Sequence, residues 1–88
     1  MLVYEITLKD CTAVQQFCLD ATACSFSVLC KQECYAVNAK SILGLFSLTL
    51  TKPMYVEFPD CVGSDDFTKV LIFKYHGHCV EEEQPACI

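Results

Sequence analysis

The chain has 88 residues, which is enough for one small domain. Hydrophobic residues make up 53% of it and charged residues 19%, a balance that excludes an intrinsically disordered chain. The formal net charge is -5 and the six basic residues are scattered, which argues against nucleic acid as the main ligand. No apolar run is long enough for a membrane span, and no signal-peptide pattern is present. We therefore expect a cytoplasmic protein.

The eight cysteines allow two interpretations. In a short secreted chain they would form a disulfide framework. The high apolar content and the lack of a signal-peptide pattern instead favour reduced cysteines that pack as small hydrophobic side chains. Cys11 and Cys18 fit the buried face of the first predicted helix. We expect the cysteines to be reduced.

The first half of the chain predicts a strand, a helix and two further strands. Residues 2–8 alternate between apolar and polar side chains, as in a strand with one buried face. Asp10 is placed to cap a helix over about 11–22, where apolar residues recur at helical spacing. Residues 25–30 and 34–37 are rich in strand-forming residues and flank a polar turn.

The second half predicts two helices around one strand, followed by a tail. Ser41 is placed to cap a short helix over 41–48, and the strand that follows covers 54–58. Ser64 is placed to cap the last helix. Residues 77–88 are acidic and are expected to form a loose tail. The order is βαββαβα, which predicts an α+β two-layer sandwich.

One segment of the chain resembles a known family. Residues 37–50 read Val-Asn-Ala-Lys-Ser-Ile-Leu-Gly-Leu-Phe-Ser-Leu-Thr-Leu. This segment is similar to that around the regulatory serine of HPr, the phosphocarrier of the bacterial phosphoenolpyruvate-dependent sugar phosphotransferase system. The resemblance extends more faintly over residues 2–75. It implies an HPr-like domain over 1–76, an open-faced β-sandwich whose four-stranded antiparallel sheet is covered by three helices.

The chain departs from this family at the phosphoryl-accepting histidine, which lies in a Gly-[Leu/Ile]-His-Ala-Arg-Pro-Ala motif. No such motif occurs here, and both histidines lie in the last thirteen residues. Counting back from Ser41 places Asp10 at the histidine position and Thr12 and Ala13 at those of the arginine and proline. A carboxylate at a helix start is a good cap and a poor nucleophile. The chain therefore resembles Crh-type members, which lack the histidine, and we expect no catalytic residue and no enzyme activity.

Ser41 and its neighbours carry the main functional hypothesis. Ser41 alone can be explained as a helix cap. The resemblance implies that it is also a regulatory phosphorylation site, with Lys40 next to the phosphate. Ile42, Leu43 and Phe46 are too many apolar residues for one buried face of a short helix. They either pack in the core or, as the resemblance implies, form a surface that docks partners.

A weaker pattern lies near the end of the chain, where His76, His78 and Cys79 are followed by Cys87. Two histidines and a cysteine can bind zinc or copper. No second pair of ligands completes a site, so we expect no metal and no cofactor. An ordinary tail is the simpler interpretation.

Together these features predict a regulatory, protein-docking member of the HPr family that is phosphorylated on Ser41. Its implied partners are an HPr kinase/phosphorylase and a transcriptional regulator, with a role in carbon catabolite regulation and no contact with nucleic acid or membrane. One alternative is a small Cys/His metal-binding or redox protein on the same fold. Another is a paralogue that is not phosphorylated at all.

Overall fold

A computed structural model describes residues 1–80 of the protein. Its elements, in chain order, are β1 (Leu2–Ile6), α1 (Cys11–Thr22), β2 (Leu29–Gln32), β3 (Tyr35–Asn38), α2 (Ile42–Phe46), β4 (Met54–Phe58), α3 (Ser64–Phe73) and β5 (His78–Val80). This confirms the α+β class predicted from the sequence. Across the described part, no helix is both long enough and apolar enough to cross a membrane.

The strands form one antiparallel sheet in the order β3-β2-β4-β1-β5. At its centre β1 pairs with β4 along its whole length, from Leu2 opposite Phe58 to Ile6 opposite Met54. The first seven elements follow the predicted order βαββαβα. The predicted count of four strands is wrong, because β5 adds a fifth at the edge next to β1.

Strand β5 begins inside the stretch that was predicted to be a loose tail. His78 pairs with Glu5, and Val80 pairs with Val3. The chain reaches β1 through Gly77, whose N–H donates to the carbonyl of Leu71 at 2.8 Å. A Cβ atom at this glycine would lie 2.7 Å from a methyl carbon of Ile6. This close approach is a tertiary contact without a local sequence signal; the rest of the predicted tail, 81–88, lies outside the described residues.

The core joins one face of the sheet to the buried sides of all three helices. A cluster of aromatic rings fills its centre: Phe58 and Phe67 have ring centroids 5.1 Å apart, and Phe26 lies 5.9 Å from Phe58. Aromatic pairs at these distances stabilise the core beyond the burial of their surface. The other residues that the strands and α1 contribute to this core cluster are Tyr4, Ile6, Cys30, Met54, Val56, Val14, Phe17, Cys18 and Ala21.

The aromatic cluster explains one wrong boundary. Residues 25–30 were predicted to be a strand, but β2 begins only at Leu29. Phe26 lies in the preceding loop and packs against Phe58 and Phe67. Its apolar character therefore reflects a loop that is anchored in the core. The turn between β2 and β3 begins after Gln32, and its residue Glu33 has a left-handed backbone with φ of 55°.

Six cysteines of the described part are free thiols: Cys11, Cys18, Cys24, Cys30, Cys61 and Cys79. The expectation of reduced cysteines is met by these six and is wrong for Cys34, which is disulfide-bonded. Cys18 is buried as predicted, whereas Cys11 is exposed at the start of α1. Burial raises the pKa of the Cys30 thiol to about 12, so this side chain packs as a neutral hydrophobe.

Candidate functional site

The start of α2 is held by Ser41, as the sequence predicts. Its backbone is extended, and its Oγ accepts a hydrogen bond from the N–H of Gly44 at 3.2 Å. The Ser41 carbonyl also accepts from Leu45 N–H at 3.0 Å. Ser41 is exposed, so the cap leaves the hydroxyl accessible. At the other end, Ser47 Oγ donates to the Gly44 carbonyl at 2.6 Å, and the helix ends at Phe46, two residues before the predicted end.

Helix α2 divides its apolar residues between the core and the surface. Leu45 is only 1% exposed, and Ile42 is partly buried against the core. Leu43 is 80% exposed and Phe46 is 39% exposed. Burial of Leu45 fixes the orientation of so short a helix. Of the three residues predicted for docking, Leu43 and Phe46 are therefore available to a partner, whereas Ile42 packs partly against the core. We call Ser41, Leu43 and Phe46 the α2 patch.

Lys40 connects the α2 patch to the end of α1. Its Nζ donates to the carbonyl of Cys24 at 2.8 Å, and its backbone N–H donates to Asn38 Oδ1 at 2.9 Å. The Lys40 ammonium is thus already engaged by a main-chain oxygen. Burial raises the pKa of Cys24, and the positive charge of Lys40 offsets part of that rise. In this structure Lys40 has a structural contact of its own, besides its predicted place next to a phosphate.

Asp10, at the position that the resemblance gives to the phosphoryl-accepting histidine, caps α1. Its Oδ1 accepts from the N–H of Ala13 at 2.9 Å, and its carbonyl accepts from the N–H of Val14 at 3.1 Å. An aspartate that accepts a phosphoryl group needs a metal and further acidic groups beside it. Among residues 1–80, no three His, Cys, Asp or Glu side chains gather in a way that could hold a metal ion.

The histidines near the end of the chain take up separate positions. His78 Nε2 lies 3.2 Å from Glu5 Oε1, directly across the pairing of β1 and β5. His76 has a left-handed backbone with φ of 57° in the turn before β5. Cys79 is exposed, and its nearest partner is the carbonyl of Val80 at 3.7 Å. Cys87, which follows this pattern in the sequence, lies outside the described residues.

The structure also contains a groove that sequence reasoning missed. It has a volume of about 460 Å³ and lies between β1, the start of α1 and the turn from α3 to β5. Behind its wall, Tyr75 Oη donates to Asp20 Oδ2 at 2.5 Å, and Lys74 Nζ lies 2.9 Å from the same oxygen. Burial and this hydrogen bond both raise the pKa of Tyr75. The groove was missed because its residues come from three separate segments.

No protein-family model matches this chain, and no curated protein matches it at a significant level.

Proposed function

We propose that this protein is an HPr-like regulatory module that docks protein partners through the α2 patch and is phosphorylated on Ser41. The observation that carries the proposal is an exposed serine hydroxyl on a helix that also exposes 80% of Leu43 and 39% of Phe46. In this role the protein acts in the cytoplasm, catalyses no reaction and carries no phosphohistidine. The proposed kinase is an HPr kinase/phosphorylase, and a transcriptional regulator would bind the modified form.

The position of Ser41 favours a phosphate chemically. The first N–H groups of a helix have no intrahelical acceptors, and the helix dipole makes that end positive. A phosphate on Ser41 Oγ could accept hydrogen bonds from these groups without any change in the core. Gly44 N–H, which now donates to Ser41 Oγ, is one such donor. Because Lys40 is bound to the Cys24 carbonyl, we expect the backbone N–H groups to supply most of the stabilisation of a phosphate on Ser41.

The order of the elements also supports the proposal. The first seven elements run βαββαβα, as the resemblance implies, and β5 is an addition at the edge of the sheet. Asp10 is fully accounted for as the cap of α1. The absence of histidine before residue 76 favours regulation by docking over phosphoryl transfer.

The direct test is incubation of the full chain with ATP, magnesium and an HPr kinase/phosphorylase, followed by peptide mass spectrometry. We expect one phosphate, on Ser41. Ser47 provides a matched control, because it is an exposed serine at the other end of the same helix. A phosphate there would face the negative end of the helix dipole. Ser41→Ala should abolish labelling and Ser47→Ala should leave it intact.

A second incubation tests the proposal that the protein carries no phosphohistidine. Phosphoenolpyruvate and the general phosphotransferase enzyme should place no acid-labile phosphate on the protein, since no histidine occupies the start of α1. A control HPr must be labelled in both incubations. An unmodified Ser41 beside a labelled control would reject phosphorylation and leave Ser41 as a cap alone.

A further inference from the structure

The groove beside β5 brings together two lysines and both histidines of an acidic protein. The whole chain has a net charge of -5, six lysines and two histidines. Two of those lysines, Lys9 and Lys74, line the groove together with both histidines, His76 and His78. We call these four residues the cationic groove. Four nitrogen-bearing side chains on one concave surface favour the binding of an anion there.

Among the described residues, two of the four groove side chains have partners and two do not. Lys74 binds Asp20, and His78 binds Glu5, which is the acidic residue that lines the groove. The side chains of Lys9 and His76 make no hydrogen bond or ion pair with any of the described residues 1–80. An ammonium has three donors, and an imidazole has an N–H donor in either protonation state. Within the part of the chain that the structure describes, Lys9 and His76 are therefore available to donate to a bound anion.

We infer that the cationic groove binds a small phosphate monoester. The phosphate oxygens would accept from Lys9 and His76, since charge-assisted hydrogen bonds to phosphate are among the strongest that side chains make. The organic part of the ester would lie against Ile6, Ala13 and the ring of Tyr75, which supply the apolar wall. A volume of about 460 Å³ falls within the range of small-molecule sites.

The groove uses none of the residues of the α2 patch, so its test is independent of Ser41 phosphorylation. The full chain, labelled with ¹⁵N, is titrated with glycerol 3-phosphate, inorganic phosphate and glycerol in separate NMR experiments. With glycerol 3-phosphate we expect saturable shifts of the amides near Lys9, Ala13 and His76. Inorganic phosphate should bind more weakly because it cannot contact the apolar wall, and glycerol should not bind.

Substitutions then assign the site. Lys9→Ala should raise the Kd for glycerol 3-phosphate about tenfold, the value of one strong charge-assisted contact. His76→Asn should also raise it, and asparagine tolerates the left-handed backbone at this position. Lys69→Ala is the matched control, because it removes the same charge from an exposed lysine outside the groove. Its Kd should stay within twofold of the unsubstituted protein.

Three outcomes would overturn the assignment. Equal weakening by Lys69→Ala and Lys9→Ala would mean that only the overall charge matters. Shifts that grow linearly with concentration and spread over all the lysines would mean that there is no site. Equal affinity for inorganic phosphate and the ester would reject the ester as the ligand class. Unchanged amide spectra away from the groove confirm in each case that the variant is folded.

Discussion

Helices α1 and α2 begin in the same way and then use their apolar residues differently. Asp10 Oδ1 accepts from a backbone N–H three residues ahead at 2.9 Å, and Ser41 Oγ does the same at 3.2 Å. Helix α1 exposes one large apolar residue, Leu19, and buries Val14, Phe17, Cys18 and Ala21. Helix α2 buries Leu45 within its span but leaves Leu43 and Phe46 on the surface.

This difference distinguishes Asp10, which caps α1, from Ser41, which caps α2 and is also a candidate functional site. At α1, the cap and the buried face account for most of the residues present, and the exposed apolar residue Leu19, which is 63% exposed, lies nine positions after the cap Asp10. At α2, the fold requires the cap and the buried side, but it does not require a leucine that is 80% exposed. The exposed apolar surface beside Ser41 is therefore the feature that indicates a binding partner.

The largest effect is expected from the buried side of α2. Leu45→Ala removes a side chain that is 1% exposed, and we expect it to lower the free energy of unfolding by about 2–5 kcal/mol, as for other buried leucines. Leu43→Ala, on the opposite side, should change it by less than about 0.5 kcal/mol. Urea denaturation followed by circular dichroism measures both. Similar losses for the two variants would show that Leu43 also belongs to the core.

The two caps should be alike in stability and unlike in function. Asp10→Ala and Ser41→Ala should each lower the free energy of unfolding by about 1 kcal/mol, because each removes one capping hydrogen bond. Only Ser41→Ala should prevent phosphorylation. Denaturation and kinase labelling of the same preparations check both statements. Loss of labelling in Asp10→Ala, with the fold intact, would assign Asp10 a role beyond capping.

A smaller effect is expected at Lys40, which lies between the two helices. Lys40→Met removes the hydrogen bond to the Cys24 carbonyl and should lower the free energy of unfolding by about 0.5–1 kcal/mol. The positive charge of Lys40 lowers the pKa of Cys24 against the effect of burial. Its removal should raise that pKa further and slow alkylation of Cys24 at pH 8, because less thiolate is present. Faster alkylation would mean that the lost contact has opened the end of α1 instead.

The helix starts were the most predictable parts of this fold. Asp10 and Ser41 were identified as caps because the cap is a local interaction over three residues. The third predicted cap, Ser64, was wrong: Gly63, with φ of 94°, is the cap residue of α3, and Ser64 is buried with its Oγ donating to the Cys61 carbonyl at 2.7 Å. A serine near a helix start can cap the helix, or it can lie in the first turn and bond to the preceding loop as Ser64 does. The sequence does not distinguish these two arrangements.

Features that depend on distant contacts could not be predicted. Strand β5 has three residues and forms by pairing with β1 at the edge of the sheet. The loop at Phe26 looked like a strand because its aromatic side chain is needed in the core. The sequence indicated the α2 patch through its excess of apolar residues, but which of them are exposed depends on where Leu45 packs. The cationic groove joins Lys9 to His76 only through the tertiary fold.

The most direct test of the central claim compares two exposed phenylalanines. Phe46 belongs to the α2 patch and is 39% exposed, whereas Phe73 lies at the end of α3 and is 76% exposed. Initial rates of Ser41 phosphorylation by the HPr kinase/phosphorylase are measured for Phe46→Ala and Phe73→Ala. We expect Phe46→Ala to lower kcat/KM about tenfold, mainly through KM, because it removes docking area, and Phe73→Ala to change it less than about twofold. Equal rates for the two variants would contradict the claim that the α2 patch is a docking surface.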